Sequence, residues 1–294
     1  MTGKEILGLG AVGTAVLAAG AAAFFYYGNN HISCSEYEFS SKELPKEFDS
    51  MKILHISDFH NTSFPKHGAE LLKKCAQLKP DIIFITGDLI DKRRTSPEDL
   101  ETALNFVLSL EKIAPVYYAP GNHEAVSPSY TELKRRILKT PVTLLENDFV
   151  QLERNGEKIN IAGVCDPASY YYDYDFKHFR SILSKVKETA SGFTVLLSHR
   201  PDRIEDYADF GFPLVFSGHA HGGQVRLPFI GGLYAPNQGV LPKYTAGIHH
   251  KKNTSLVISR GLGNSRGPVR VFNCPEIVSC LLYTSPSPRD PKTS

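Results

Sequence analysis

The chain has 294 residues, 41% of them hydrophobic, which is enough to bury the core of one ordinary α/β domain. Lys and Arg number 33 against 31 Asp and Glu, and the formal charge of +2 is spread along the chain, so the basic field of a nucleic-acid binder is excluded. The five cysteines (Cys34, Cys75, Cys165, Cys274, Cys280) are odd in number and show no paired spacing, which excludes both a disulfide framework and a zinc ribbon.

Ile6 to Tyr27 carries no charge, and as a helix it spans about 33 Å at about 1.5 Å per residue, enough to cross a bilayer. It exceeds a typical signal-peptide apolar region and ends in Phe24-Phe25-Tyr26-Tyr27, an interfacial aromatic belt. Residues 1–27 are therefore expected to be an uncleaved membrane anchor, in preference to a signal cleaved after Ala19-Gly20-Ala21 or Ala21-Ala22-Ala23. Either reading makes the protein membrane-anchored or exported, with the catalytic domain extracytoplasmic. Residues 28–50 are polar and mixed and read as a linker.

Met51 to Asp58 reads as a buried strand ending in a carboxylate, with Asp58-Phe59-His60 at its end. Helical spacing from Gly68 to Leu78, a break at Pro80 and a second apolar run, Asp81 to Thr86, ending at Gly87-Asp88, complete a β-α-β unit. Ser96-Pro97-Glu98-Asp99 is a helix start, Ser96 being the N-cap and Asp99 closing the capping box. The next strand, Pro115 to Ala119, leads to Pro120-Gly121-Asn122-His123-Glu124, and a helix follows from Tyr130 to Lys139.

Two strands, Val142 to Glu153 and Lys158 to Val164, are joined at Asn155-Gly156, a hairpin signal that implies a mixed sheet or two sheets. The aromatic stretch Tyr170 to Tyr174 either covers the core or lines a substrate cleft, and a helix runs through Phe176, Phe179, Leu183 and Val186. Phe193 to Ser198 is a strand ending at His199, and Pro213 to Phe216 is a strand ending at Gly218-His219-Ala220-His221-Gly222-Gly223. If the chain is extended there, His219 and His221 project on one side between glycines that leave room around them. Ser255 to Ser259 and Val269 to Phe272 are the last expected strands. Cys280 to Asp290 resembles a translated transposase-type sequencing adapter, so the native last strand is expected to end near Ser279 and residues 280–294 to form a non-native tail without packed structure.

Five apolar strands thus end in polar side chains: Asp58 with His60, Asp88, Asn122 with His123, His199, and His219 with His221. In open α/β sheets the carboxyl ends of strands are where ligand crevices form. Two carboxylates, one amide oxygen and four imidazoles give seven candidate metal ligands, and sharing Asp88 between two ions gives four to each. Two divalent ions bring +4 against −2, which leaves charge for a bridging hydroxide and a phosphate oxyanion.

The ordered pattern Asp-x-His, Gly-Asp, Gly-Asn-His-Glu, His and Gly-His-x-His over residues 51–279 resembles the calcineurin-like metallophosphoesterases. That resemblance implies a four-layer αββα sandwich, two mixed sheets face to face with helices outside. It also implies two divalent ions (Mn, Fe, Zn or Co), one held by Asp58, His60, Asp88 and His221, the other by Asp88, Asn122, His199 and His219. A hydroxide bridging the ions would be the nucleophile. His123 matches the family's non-ligand histidine, which stabilises the transition state or protonates the leaving oxygen. Asp91 is placed either to orient His123 or simply to solvate its loop. Residues His219 to Pro275 look like the membrane-associated bacterial subgroup, which includes broad phosphodiesterases and enzymes resembling the UDP-2,3-diacylglucosamine pyrophosphatases.

The expected function is dinuclear metal-dependent hydrolysis of a phosphodiester or pyrophosphate, on a phosphorylated small molecule or a lipid- or envelope-linked substrate, with no nucleic acid as partner. The competing class is a non-catalytic metal-binding scaffold of the same fold, whose mark would be a lost ligand. A serine/threonine protein phosphatase is disfavoured, because Lys92-Arg93 follows Asp91 where that branch has Arg-Gly. The clusters Lys92-Arg93-Arg94, Lys134-Arg135-Arg136 and His249 to Lys252 read as solvated faces that, close to the site, could steer an anion.

Overall fold

The structure is a computed structural model that describes residues 3–62, 68–170, 176–264 and 270–284, with the side chains of residues 3–13 and 15 outside that description. Its first half comprises α1 (Gly3–Asn30), β1 (Ser33–Ser40), β2 (Lys52–Ile56), α2 (Gly68–Gln77), β3 (Ile82–Thr86), α3 (Pro97–Glu111), β4 (Val116–Ala119), α4 (Asn122–Val126), α5 (Tyr130–Ile137) and β5 (Thr143–Leu144). Next come β6 (Asp148–Arg154), β7 (Glu157–Gly163), α6 (Lys177–Thr189), β8 (Thr194–Leu197), α7 (Ile204–Asp209) and β9 (Leu214–Ser217). Four two-residue strands, β10 (Arg226–Leu227), β11 (Gly231–Gly232), β12 (Tyr234–Ala235) and β13 (Gly239–Val240), make two small ribbons before β14 (Gly247–Lys251), β15 (Thr254–Ile258) and β16 (Glu276–Tyr283).

The strands form two six-stranded mixed sheets, ordered β1-β16-β2-β3-β4-β5 and β14-β15-β9-β8-β7-β6. Each has a parallel run, β2 to β5 in one and β15-β9-β8-β7 in the other; in the first, β16 is antiparallel to β2 and parallel to the edge strand β1, and in the second the edge strands β14 and β6 are antiparallel to their neighbours. Strand side chains alternate between faces, and here both faces are apolar. Ile53, Ile82, Phe84, Val195, Leu197, Leu214, Phe216 and Val257 fill the space between the sheets. Their neighbours Leu54, Ile56, Ile83 and Ile85 meet α2, α3 and α5 outside the first sheet. Leu196, Val215, Leu256 and Ile258 meet α6 and α7 outside the second. This is the expected four-layer sandwich.

The capping box of α3 forms as expected: Ser96 Oγ accepts the Asp99 amide at 3.2 Å and Asp99 Oδ2 accepts the Ser96 amide at 2.8 Å. The Asn155-Gly156 hairpin joins β6 to β7 with both turn residues at positive φ (50° and 88°), the geometry such a two-residue turn needs.

Four expectations need correction. The polar stretch read as a linker contains β1, an edge strand whose alternation is hard to see because only Phe39 is fully buried along it. The single strand expected over Val142 to Glu153 is two strands in different sheets, since the chain crosses between the layers at Asn147 (φ 61°). Of the strand expected over Val269 to Phe272, residue 269 lies outside the described residues, and over 270–272 no strand is formed; Val271 makes one isolated bridge to Val225. The last strand does not stop near Ser279: β16 runs to Tyr283 between β1 and β2, with Cys280 and Leu282 buried in the inter-sheet core, while residues 285–294 lie outside the described residues.

The expected membrane anchor falls within α1, a single helix of 28 residues, but many of its side chains lie outside the described residues. Among the described residues no helix is long and apolar enough to cross a membrane. The C-terminal end of α1 is tied to the domain. The Asn29 amide oxygen accepts from Asn264 Nδ2 (2.8 Å) and the Arg270 amide (3.2 Å), and Ile32 is buried in the outer core of the first sheet.

Deletion of residues 1–27 is accordingly expected to leave a folded domain as active as the full chain on a water-soluble diester, whereas Ile32→Ala costs about 2–5 kcal/mol in urea unfolding. A folded deletion variant without activity would show that the helix takes part in the chemistry.

Candidate metal centre

Every residue expected to serve the site lies just past the carboxyl end of a parallel strand, or one short turn beyond it. Asp58 and His60 follow β2, Asp88 follows β3, Asn122 opens α4 after β4, His199 follows β8, and His219 and His221 follow β9. Five of these residues have left-handed backbones: Asp58 (φ 53°), His60 (49°), Asp88 (55°), His219 (65°) and His221 (47°). For a residue with a Cβ that conformation costs about 1–2 kcal/mol, and it persists only where surrounding contacts impose it. The loop is therefore not extended, and His219 and His221 do not point to one place. Glycine is required where these loops touch: a Cβ on Gly121 would stand 2.3 Å from Asp88 Oδ1, and one on Gly218 would stand 1.8 Å from Ser57 Oγ.

Two groups of donors follow the expected ligand set, Asp58 with His60 and His221, and Asp88 with His199 and His219, and His60 also lies with Asp91 and His123 in a third. In the first, His60 Nε2 lies 3.2 Å from His221 Nε2, and Asp58 Oδ1 lies 3.3 Å from His221 Nε2 and 3.8 Å from His60 Nε2. In the second, His199 Nε2 lies 3.2 Å from Asp88 Oδ2 and 3.1 Å from Asn122 Oδ1, which in turn lies 2.8 Å from His219 Nδ1. Asp88 Oδ2 is also 3.5 Å from His60 Nε2, so one oxygen faces both groups. Its other oxygen accepts the His123 amide at 2.8 Å.

The arrangement fits two divalent cations. Bonds of about 2.1 Å arranged as an octahedron or tetrahedron have edges of about 3.0–3.4 Å, and the shorter separations above are of that size. In the second group the outward nitrogens are held as metal-binding imidazoles usually are: His199 Nδ1 donates to the Thr86 carbonyl (2.6 Å) and His219 Nε2 pairs with Asn237 Oδ1 (2.8 Å), whereas Nδ1 of His60 and of His221 is buried with no hydrogen-bond partner among the described residues. Charge points the same way. Burial alone would raise the Asp58 and Asp88 carboxyls, but the imidazoles of His221 beside Asp58 and His199 beside Asp88 hold both well below the usual range. Burial pushes His199 down, yet Asp88 and Asp58 override it and lift the imidazole to about 10, so the pair of carboxylates demands positive charge. His221, by contrast, is pushed down to about 3 by burial and is a neutral donor.

His123 stands beside the two groups and shares the third with His60 and Asp91. The Lys92 amide donates to its Nδ1 at 3.1 Å, which leaves the proton on Nε2, and Nε2 faces Asp88 Oδ2 at 4.0 Å. Burial lowers its pKa to about 4, so at neutral pH it is an uncharged N–H donor. Asp91 is close to His123 but does not hydrogen-bond to it: its Oδ2 lies 3.9 Å from Nδ1, and its oxygens accept the Arg93 amide (2.8 Å) and Arg94 Nη2 (3.0 Å). The amide of Lys92, presented by that turn, orients the ring instead.

Three features escaped the sequence reading. Buried Glu124 accepts the amides of Asp88 (2.7 Å), Gly121 (2.8 Å) and Ile90 (3.1 Å), which locks the β3 and β4 loops together. The only signal for it was its place next to His123. Arg200, immediately after His199, pairs with buried Asp166 at 2.8 Å, and Asn237 reaches His219 from the turn that joins β12 to β13. Tyr170 bonds Asn147 at 2.8 Å and stacks edge-on with His178, whereas residues 171–175 of the aromatic stretch lie outside the described residues. The cleft over the donors, about 140 Å³, is lined by Lys92, Arg93, His123, Arg200 and Asn237 among others.

Two buried donor groups sharing one carboxylate mark a metal-dependent hydrolase. The model of the calcineurin-like phosphoesterase family matches residues 51–223. The uncharacterized metallophosphoesterase YkuE of Bacillus subtilis is 32% identical over 294 residues, covering 96% of this chain and 96% of its own. YkoQ of the same organism, also an uncharacterized metallophosphoesterase, is 29% identical over 232 residues, covering 77% of this chain and 82% of its own. The UDP-2,3-diacylglucosamine pyrophosphatase LpxG of Chlamydia muridarum is 26% identical over 297 residues, covering 81% and 86%. The chain belongs to the calcineurin-like phosphoesterase family, and it is a phosphoric ester hydrolase that uses two divalent metal ions.

Asp88→Asn should lose both bound metal and activity, because one carboxylate faces both donor groups; a variant with two metals and near-normal turnover would sink the shared-ligand assignment. His123→Ala should keep both metals while kcat falls about 10²–10⁴-fold, the usual worth of a positioned proton donor. Metal analysis alongside turnover separates the two, since metal loss in the His123 variant would make it a ligand.

Proposed function

We propose that the protein hydrolyses a phosphodiester or pyrophosphate bond in a lipid- or envelope-linked substrate. The observation that carries the hydrolytic part is Asp88 Oδ2, which lies within 3.5 Å of an imidazole from each donor group. In this reading Asp58, His60, Asp88 and His221 hold one ion, and Asp88, Asn122, His199 and His219 hold the other. The ions, when bound, lower the pKa of water and neutralise charge on the phosphoryl oxygens. The protein's own part is to hold the phosphoryl group in the cleft and to donate from His123 Nε2–H to the oxygen on which charge develops.

Support for a lipid-linked substrate comes from exposed apolar groups and from a relative. At the turn between β10 and β11 Phe229 stands fully in solvent and Ile230 is exposed, and Phe272, packed edge-on against Phe24 of α1 with centroids 5.1 Å apart, is also exposed. Val240 and Leu241, a few residues after the cleft residue Asn237, are exposed as well. Exposed apolar groups, one of them packed on α1, favour a membrane surface, and the relative LpxG is named for a pyrophosphatase acting on a diacylated sugar nucleotide. We extend the proposal to location: anchored or exported, with the domain on the extracytoplasmic side.

On the full-length protein in liposomes, kcat/KM should be at least about tenfold higher for a lipid-linked pyrophosphate than for its water-soluble head group, and Phe229→Ser with Ile230→Ser should remove that advantage while leaving head-group turnover alone. Equal rates on the two substrates, or equal losses in the variant, would leave a general phosphodiesterase.

A further inference from the structure

We propose that Arg200, with Lys92 and Arg93 at the rim, forms a subsite for a second phosphoryl group, so that the centre favours a disubstituted pyrophosphate over a simple diester. This rests on the hydrolase reading above and specifies its substrate. Arg200 is held unusually firmly for a side chain at an open cleft. Pro201 follows it, its carbonyl accepts Tyr207 Oη at 2.6 Å, and its side chain is only 8% exposed. The Asp166 carboxylate, itself fully buried, accepts from Arg200 Nε through one oxygen and from the Ala168 amide through the other, both at 2.8 Å.

This is a one-edged ion pair. A guanidinium buried for stability is best satisfied by a two-bond fork to a carboxylate, and a single bond repays little of the desolvation cost. Asp202 adds charge beside the guanidinium without a hydrogen bond to it, and among the described residues the one contact of the terminal nitrogens is that of Nη1 with His219, at the cleft that Arg200 lines. The contact of Nη1 with His219 Nε2, at 3.5 Å, offers no acceptor, because the Nε2 proton is directed to Asn237 Oδ1 at 2.8 Å. Arg200 therefore stands one imidazole ring outward from the donor group of Asp88, His199 and His219, with its fork open.

The rest of the cleft is complementary to an anion. Lys92 and Arg93 are exposed at its rim, and among its lining residues the only carboxylate is the candidate ligand Asp88. A diester brings one phosphoryl group, which the ions would occupy, and nothing for Arg200 to bind. A P–O–P unit brings a second, adjacent one, and its oxygens suit a planar guanidinium. Hydrolysis adds one water across the bridge: its oxygen bonds to one phosphorus, the bridge bond leaves with its electron pair on the other phosphate, and the two products are phosphate monoesters.

The test uses the full-length, manganese-loaded protein and compares a nucleoside diphosphate sugar with bis(4-nitrophenyl) phosphate, with methylenediphosphonate as a non-hydrolysable probe. Arg200→Lys keeps a cation for Asp166 but loses the fork. It should lower kcat/KM for the diphosphate sugar about 10–100-fold, mainly through KM, as expected for charged hydrogen bonds. That loss should be at least about tenfold larger than the loss on the diester, with methylenediphosphonate binding weakened in step and two manganese ions retained per chain. Lys92→Ala, on the exposed rim, should weaken methylenediphosphonate binding by a smaller factor. Equal losses on both esters, loss of manganese, or unchanged methylenediphosphonate binding would make Arg200 a support for His219 and overturn the subsite. A wild type that turns over neither ester, yet binds methylenediphosphonate through Arg200, would refute the hydrolase reading and keep the subsite.

Discussion

The packing of Phe84 on Phe216, edge-on with ring centroids 5.2 Å apart, ties the two sheets together directly beneath the metal centre. Four residues after Phe84 stands Asp88, and three residues after Phe216 stands His219. An edge-to-face pair is worth only about 0.5–1.5 kcal/mol beyond its buried area, so its importance is geometric. With His55 also edge-on to Phe216 at 5.1 Å, it sets the distance between strand ends that belong to different sheets. Each donor group draws on both layers, Asp58 and His60 meeting His221 in one, Asp88 and Asn122 meeting His199 and His219 in the other. A change in sheet spacing would open both groups at once, whereas a change within one sheet would leave half of each intact.

On that base the loops are held by polar contacts that the packed sheets alone could not supply. Glu124 collects three buried amides from the β3 and β4 loops, and Asp58 accepts the His219 amide from the other sheet at 3.0 Å. Burial first, and the neighbouring Asp88 second, lift the Glu124 pKa to about 7. The left-handed backbones at five donor residues belong to the same economy. They are imposed by the fold and aim side chains that a relaxed loop would scatter.

The sequence made the parallel strands and their polar ends legible for a physical reason. Strands covered on both faces read as unbroken apolar runs, so a carboxylate or imidazole at the end of one stands out, and Asp58, Asp88, His199 and His219 could be picked out singly. What could not be read were the features that depend on distant partners. The β1 strand has one buried aromatic, Phe39, and otherwise alternates serines, glutamates and half-buried side chains, which at a sheet edge is sufficient and in a sequence is indistinguishable from a linker. The split at Asn147 is invisible because each half continues the same apolar pattern in a different sheet. Arg200 and Asp166 are separated by 34 residues, and a lone charge carries no period that would reveal its burial. For His123 the sequence suggested a side-chain partner in Asp91, but the ring is held by a backbone amide, a group every residue possesses and no composition can flag.

The placement of β16 between β1 and β2 has a consequence for the order of assembly. Both neighbours emerge early, yet neither can pair with the other without it: β1 bonds only β16 in its sheet, and β2 keeps one edge open until residues near 280 are available. At a synthesis rate of 5–20 residues per second, the strand that precedes Asp58 stays unprotected on that side for about 10–45 s. An open, apolar edge is a template for pairing with another chain, so during translation this domain is exposed to mispairing at the strand that leads to the candidate ligand Asp58.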